Sequence, residues 1–394
     1  MPSTLNKDKR LERPAYWSGV FAMALCVFAL IASEFMPVSL LTTIAQDLHI
    51  TEGLAGQGIT VSGFFAVITS LTISYLAKEI DRKHLLLVLT AIMAISGLIV
   101  SLAQNYTMYM IGRAFIGVVI GGFWSLSVAI AMRLVSESDV PRALAIFNGG
   151  NALAMVVAAP LGSYLGAIIG WRGAFFCLVP IAVLTWVWQF FSLPSMPQKI
   201  SQKAVKQPSI ISLFRNSIVT VGMLSVSLFF MGQFALYTYV RPFLETVTKV
   251  DVSKLSLILL GIGVMGLIGT SVVNLFLKRK FYTTLIMIPM IMATIALALI
   301  FFGMQQVAVA ILLGLWGLLA TASPVGWWSW LARTLPDDAE LGGGLMVAVV
   351  QLAIALGSTI GGILFDYSGY QLAFAVSAII LTISSILTVY LAKK

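Results

Sequence analysis

Apolar residues fall in long blocks along this chain, separated by short polar or basic interruptions. A helix needs roughly 20 apolar residues to cross a hydrocarbon core. Twelve blocks meet that length: 17–43, 55–77, 84–104, 107–132, 143–168 and 172–192, then 216–240, 255–277, 283–303, 307–331, 341–364 and 371–391. The longest polar stretch, Leu193 to Arg215, carries Pro194, Pro197, Pro208 and four basic residues. It reads as a linker (193–215) between two six-helix bundles, 17–192 and 216–391, with cytoplasmic tails at 1–16 and 392–394.

Composition fits this reading. The chain has 394 residues, 59% hydrophobic and 10% charged, too apolar to present the polar surface a soluble globule needs. The fold class is therefore an all-α membrane protein. The net charge of +9 would suggest nucleic acid as a partner in a soluble protein, but here the basic residues flank apolar spans, and no nucleic acid is expected. With the N-terminus in the cytoplasm, nineteen Lys and Arg fall inside and four outside, namely Arg172, Arg241, Lys249 and Lys254. That bias predicts an even number of spans with both termini cytoplasmic. The N-terminal apolar run is too long for a signal peptide and reads as a retained first helix.

The halves carry a weak repeat. Gly162-Ser-Tyr-Leu-Gly166 matches Gly357-Ser-Thr-Ile-Gly361, and Gly170-Trp171 with Phe175 matches Gly369-Tyr370 with Phe374. Two related six-helix units imply pseudo-twofold symmetry, with a site near mid-membrane between them.

Within the first span stands an acid, Glu34, three residues before Pro37. A carboxylate at membrane depth is costly, and it can take up and release a proton as its surroundings alternate between wet and dry. The plainer alternative is a structural hydrogen bond. Pro37 leaves a backbone carbonyl without its helical donor. Arg113, about 9 Å below the outer end of the fourth span at 1.5 Å per residue, keeps its charge and needs an acid, carbonyls or water as partner. It reads either as a proton-coupling cation acting on Glu34 or as a side chain snorkelling to the interface.

Gln233 and Tyr237 share a face of the seventh span at i and i+4, with Phe230 one turn earlier. Stacking plus amide hydrogen bonds suits a solute with an aromatic base and hydroxyls. Asn148, Asn151 and Gln351 are further amides at or near membrane depth, readable equally as interhelical hydrogen bonds. Trp124 and Trp327 are candidates for stacking. Trp17, Trp171, Trp186 and Trp188 fit an interfacial belt. Cys26 and Cys177 lie in apolar runs as packing residues, and His49 and His84 fall in opposite loops, so no metal site is expected. No catalytic nucleophile–base set and no phosphate-binding loop occurs, which argues against an enzyme, a cofactor or ATP as energy source.

Four segments resemble the major facilitator superfamily, in particular its twelve-span drug:proton antiporters. Ser33-Glu34-Phe35-Met36-Pro37-Val38-Ser39-Leu40-Leu41 resembles a bacterial efflux signature. Arg113-Ala-Phe-Ile-Gly117-Val-Val-Ile-Gly121-Gly122 is similar to the motif linked to proton coupling. Ala159-Pro160-Leu161-Gly162 with Gly166 looks like the antiporter motif. Leu76-Ala-Lys78-Glu-Ile-Asp81-Arg82-Lys83 is a degenerate copy of the loop motif, with Lys78 for the usual Asp and Asp81 for the usual Gly. The likeness extends to the purine ribonucleoside efflux branch through stretches such as Gly121-Gly-Phe-Trp124 and Pro324-Val-Gly-Trp327. It implies a monomeric proton-coupled antiporter of the bacterial inner membrane. The implied cargo is a purine nucleoside such as inosine or guanosine, or otherwise drugs or sugars. Glu34 and Arg113 would couple the proton. Trp124, Asn148, Asn151, Gln233, Tyr237, Trp327 and Gln351 are the candidate substrate face.

Overall fold

A computed structural model describes residues 15–76, 80–136, 139–197, 213, 215–335 and 339–393. Most of the linker, most of the N-terminal tail, and Lys78 of the loop motif lie outside the described residues.

Without water to satisfy peptide groups, each apolar block closes its hydrogen bonds within itself as a helix. The N-terminal half contains α1 (Trp17–Leu48), α2 (Glu52–Leu76), α3 (Arg82–Ser101), α4 (Tyr106–Leu134), α5 (Val140–Phe176) and α6 (Leu178–Ser192). The C-terminal half contains α7 (Ser217–Tyr237), the short α8 (Val240–Thr246), α9 (Val252–Arg279), α10 (Phe281–Phe302), α11 (Gln306–Thr334) and α12 (Ala339–Ala392). Polar side chains start several helices. Asn105 accepts from the Met108 amide, Asn216 from that of Ile218, and Asp251 from that of Lys254.

Ten stretches among the described residues are long and apolar enough to span a bilayer. Two of them, Arg142–Ser192 and Gly342–Ala392, run for 51 residues. At 1.5 Å per residue each would be roughly 76 Å long, more than twice the ~30 Å hydrocarbon thickness. Each is broken at one glycine, Gly170 (φ 75°) and Gly369 (φ 77°). Counting either side of each break separately yields the twelve expected helices. These breaks are the Gly-Trp and Gly-Tyr positions of the sequence repeat.

Packing repeats the same symmetry. α5 lies along α1, and α12 along α7. The equivalent glycines make the contacts: Gly162 and Gly166 against Ser39, Met36 and Leu40 of α1, Gly357 and Gly361 against the backbones of Met231 and Ala235 of α7. α2 pairs with α4 as α9 pairs with α11. Across the halves, α2 meets α12 and α5 meets α9. The fold is thus two pseudo-symmetric helical bundles facing one another.

In the degenerate loop motif, Asp81 caps α3 through the Lys83 amide (2.8 Å). It also accepts from the Ser195 hydroxyl (2.5 Å) and the Met196 amide (2.9 Å), so it grips the chain leaving α6. Burial opposes ionisation of Asp81, but the Ser195, Met196 and Lys83 donors outweigh it and hold the carboxyl below its usual range. Arg133 reinforces the grip through the carbonyls of Met196 (2.8 Å) and Pro197 (3.0 Å).

Two expectations are corrected. Trp171 is no belt residue: it is buried in the N-terminal core, edge-on to Tyr109 and Phe175. Arg241, read as an outer loop residue, is buried in α8.

A side chain at Gly369 meets the left-handed penalty of about 1–2 kcal/mol. Gly369→Ala should lower the thermal unfolding midpoint of detergent-purified protein. Gly149→Ala, whose added Cβ would meet nothing within 4 Å, should not lower it. Equal midpoints for the two would sink the assignment of Gly369 as a required break.

Candidate functional site

The site grows from a defect in α1. Pro37 has no N–H, so the carbonyl of Ser33, four residues earlier, lacks its helical donor. Arg113 of α4 supplies one. Its guanidinium donates to the Ser33 carbonyl (2.7 Å), the Glu34 carbonyl (3.0 Å), the Gly58 carbonyl (3.1 Å) and the Ser62 hydroxyl (3.1 Å). It is 1% exposed. The fork of donors suits this task, because four acceptors from two helices converge on one planar group. Arg113 therefore joins α1, α2 and α4. It bonds the main chain of Glu34, and among the described residues it forms no ion pair with the carboxylate.

The Glu34 side chain, 3% exposed, points instead to the other half. One carboxylate oxygen accepts from the amide nitrogen of Gln351 on α12 at 3.1 Å. Both residues lie near the middle of their membrane segments. Around them an apolar cluster joins the halves: Val38 and Ile59 from one, Phe234 and Ile354 from the other, with Phe35, Phe230, Tyr237 and Val350 packed against it. Phe35 stacks on Phe234 at 5.7 Å between ring centroids.

From this level toward the α1–α2 loop, the halves are laced by hydrogen bonds. Thr60 of α2 donates to the Ala355 carbonyl (3.2 Å) and meets the Thr359 hydroxyl (2.9 Å), which also donates to Gln57 (3.2 Å). Three residues before the Gly369 break in α12, Asp366 accepts from the Thr51 hydroxyl (2.6 Å) and the Gly53 amide (3.0 Å), placing a carboxylate against the N-terminus of α2. Arg241 bonds Glu245 (2.8 Å) and donates to the Ser39 carbonyl of α1. On the opposite side, Asn148 is exposed, and a Cβ at Gly149 or Gly344 would meet nothing within 4 Å. Polar contacts between the halves thus gather toward the α1–α2 loop.

The remaining candidates divide. Gln233 is buried and its carbonyl oxygen has no partner, while Tyr237 is half-buried and edge-on to Phe234. Those two adjoin the junction. Asn151 and Trp124 are half-buried in the N-terminal half, with Trp124 packed on its core. Asn148 turns its amide back to the Leu144 carbonyl (3.0 Å). Trp327 is enclosed in the C-terminal core, edge-on to Trp330 at 5.8 Å. Sequence reasoning did not identify Ser62, Asp366 or the Arg241–Glu245 pair. Ser62 and Asp366 find their partners on other helices, while Arg241 and Glu245, though i and i+4, pair on a short helix that no apolar block marks, and only the freed Ser33 carbonyl announces one such contact in advance.

Comparisons with known proteins agree with this architecture. The "Transcription regulatory protein OpdE" of Pseudomonas aeruginosa is 59% identical over 386 residues, covering 97% of this chain and 96% of that protein. The "Purine ribonucleoside efflux pump NepI" of Salmonella enteritidis is 40% identical over 370 residues, covering 94% of this chain and 92% of that protein. A crystal structure of the nucleoside transporter NupG, in a mutant form, superimposes with a TM-score of 0.76 at 12% identity, covering 94% and 99% of the two chains. That level of identity speaks to the fold alone. The Major Facilitator Superfamily pattern matches residues 23–344, and this multi-pass membrane protein, a transporter by fold and not an enzyme, belongs to that superfamily.

Proposed function

We propose that the protein exports purine ribonucleosides, such as inosine and guanosine, in exchange for protons across the bacterial inner membrane. The observation that carries the proposal is a lone buried carboxylate, Glu34, at the meeting plane of the two halves and hydrogen-bonded across it. A carboxylate there changes its surroundings whenever the bundles 17–192 and 216–391 rock, which is what proton exchange requires. With the termini in the cytoplasm and the α1–α2 loop outside, the polar contacts between the halves fall on the exterior side of Glu34. Glu34 loads from outside and discharges inside. The nucleoside then enters from the cytoplasm against Gln233 and Tyr237, with Phe230 for stacking and Asn151, Trp124 and Gln351 as further contacts from facing helices. The unpartnered Gln233 oxygen supports this, since a buried acceptor without a donor costs free energy that a hydroxyl or amino group of the solute would recover. The carrier acts as a monomer and needs no cofactor.

The 40% identity to a purine ribonucleoside efflux pump favours this cargo over drugs or sugars. The name of the Pseudomonas aeruginosa relative points to gene regulation. Apolar helices that bury an acid between two moving halves favour transport.

Two outcomes are expected in proteoliposomes. Glu34→Gln keeps the shape and removes the proton site, so inosine movement driven by an imposed pH gradient should fall at least about tenfold. Full-rate movement would remove Glu34 from the coupling role. Arg113→Lys keeps the charge but cannot reach four acceptors at once. Each carbonyl left bare in the core costs about 1–3 kcal/mol. Lower thermal stability together with impaired transport is expected, and wild-type values for both would refute the clamp.

A further inference from the structure

The sequence treats Gln351 as a contact for the solute, yet its amide nitrogen is committed to Glu34. An exchanger faces a specific physical demand. The carrier must switch with a proton aboard or with solute aboard, but not empty, or the two gradients leak past one another. A device is needed that ties the halves together only when both sites are vacant.

The surroundings of Gln351 fit such a device. Its backbone carbonyl lies 2.8 Å from where a Cβ on Gly63 of α2 would sit, so α12 is pressed directly on the N-terminal half at this residue. The side chain is 7% exposed and reaches further, to α1. Val350 and Ile354, on either side of it in α12, belong to the same apolar cluster as Phe230 and Tyr237, which flank Gln233. One amide group therefore borders both the carboxylate and the face that would hold the nucleoside. Arg113 holds the main chain at Ser33 and Glu34 from the opposite side, so the carboxylate is presented to Gln351 from a fixed base.

We propose that the Glu34–Gln351 hydrogen bond is the tie that holds the empty carrier still, and that proton and nucleoside each release it. An ionised carboxylate is a strong acceptor for the amide. A proton on Glu34 removes the charge and weakens the tie. A nucleoside bound against Gln233 and Tyr237 draws the amide to its own hydroxyl or base edge. Either event frees α12 to part from α1. Gln351 is thus a positioning residue for coupling. This inference rests on the transport reading above.

The test uses full-length protein in liposomes with inosine as probe. Two rates are measured, inosine movement driven by a pH gradient and downhill inosine movement without one. In Gln351→Leu the empty carrier switches, so the ratio of driven to downhill flux should fall at least about tenfold, whatever the absolute rates. If the two rates fall in proportion with a raised KM, the amide is a solute ligand only and the tie is refuted. An unchanged ratio refutes it as well. Should the leucine variant not be recovered folded, Gln351→Asn keeps the amide but stops one methylene short of Glu34. It should lower the same ratio, and a wild-type ratio overturns the proposal. A wild-type protein with no driven inosine flux would instead defeat the transport reading, and the tie with it.

Discussion

A proline in the middle of α1 leaves the Ser33 carbonyl to be answered from another helix, and lipid offers no water to answer it. Arg113 meets this need, and much of the structure follows from it. The guanidinium is buried because its acceptors are buried. It binds three helices into one unit because its four acceptors come from two neighbours. With its donors spent on carbonyls and a hydroxyl, Arg113 leaves the Glu34 carboxylate free to face the opposing bundle. A simple ion pair between the two side chains would have drawn that carboxylate away from the plane where the halves meet.

The two halves then share work unequally. Small residues bring α5 onto α1 and α12 onto α7, so these helix pairs pack closely within each bundle. Polar contacts between bundles sit from Glu34 outward to the α1–α2 loop, in a file from Gln351 through Thr359 to Asp366 along one helix. Three of these bonds are neutral threonine contacts of modest strength, while those at Glu34, Asp366 and Arg241 involve a charged group and are the stronger ones. The apolar cluster about Phe35 and Phe234 excludes water beside the carboxylate without adding bonds that would have to be broken one by one.

Much of this was legible in the sequence, for identifiable reasons. Block length alone predicts the spans, because the bilayer sets a minimum. The helices run past the predicted ends, as in α1 to Leu48, since capping residues such as His49 lie beyond the apolar run. Glu34 and Arg113 stand out because charges are rare at that depth. Their partners do not. A guanidinium donates to carbonyls or carboxylates equally well on paper, and the partner of Glu34 lies 317 residues away. Trp171 was misplaced because a tryptophan beside a span end looks like an interface anchor, while the break at Gly170 turns the ring onto Tyr109. Trp327 is ambiguous in the sequence because three neighbouring tryptophans give no hint that the core encloses Trp327 and Trp330 and leaves Trp328 exposed.

The breaks at Gly170 and Gly369 have a practical corollary. Each joins two membrane helices through a single non-helical residue, so that surface offers almost no slack. A protease would find little to cut there and an antibody little to hold. An epitope tag or reporter inserted at either hinge would wedge paired helices apart.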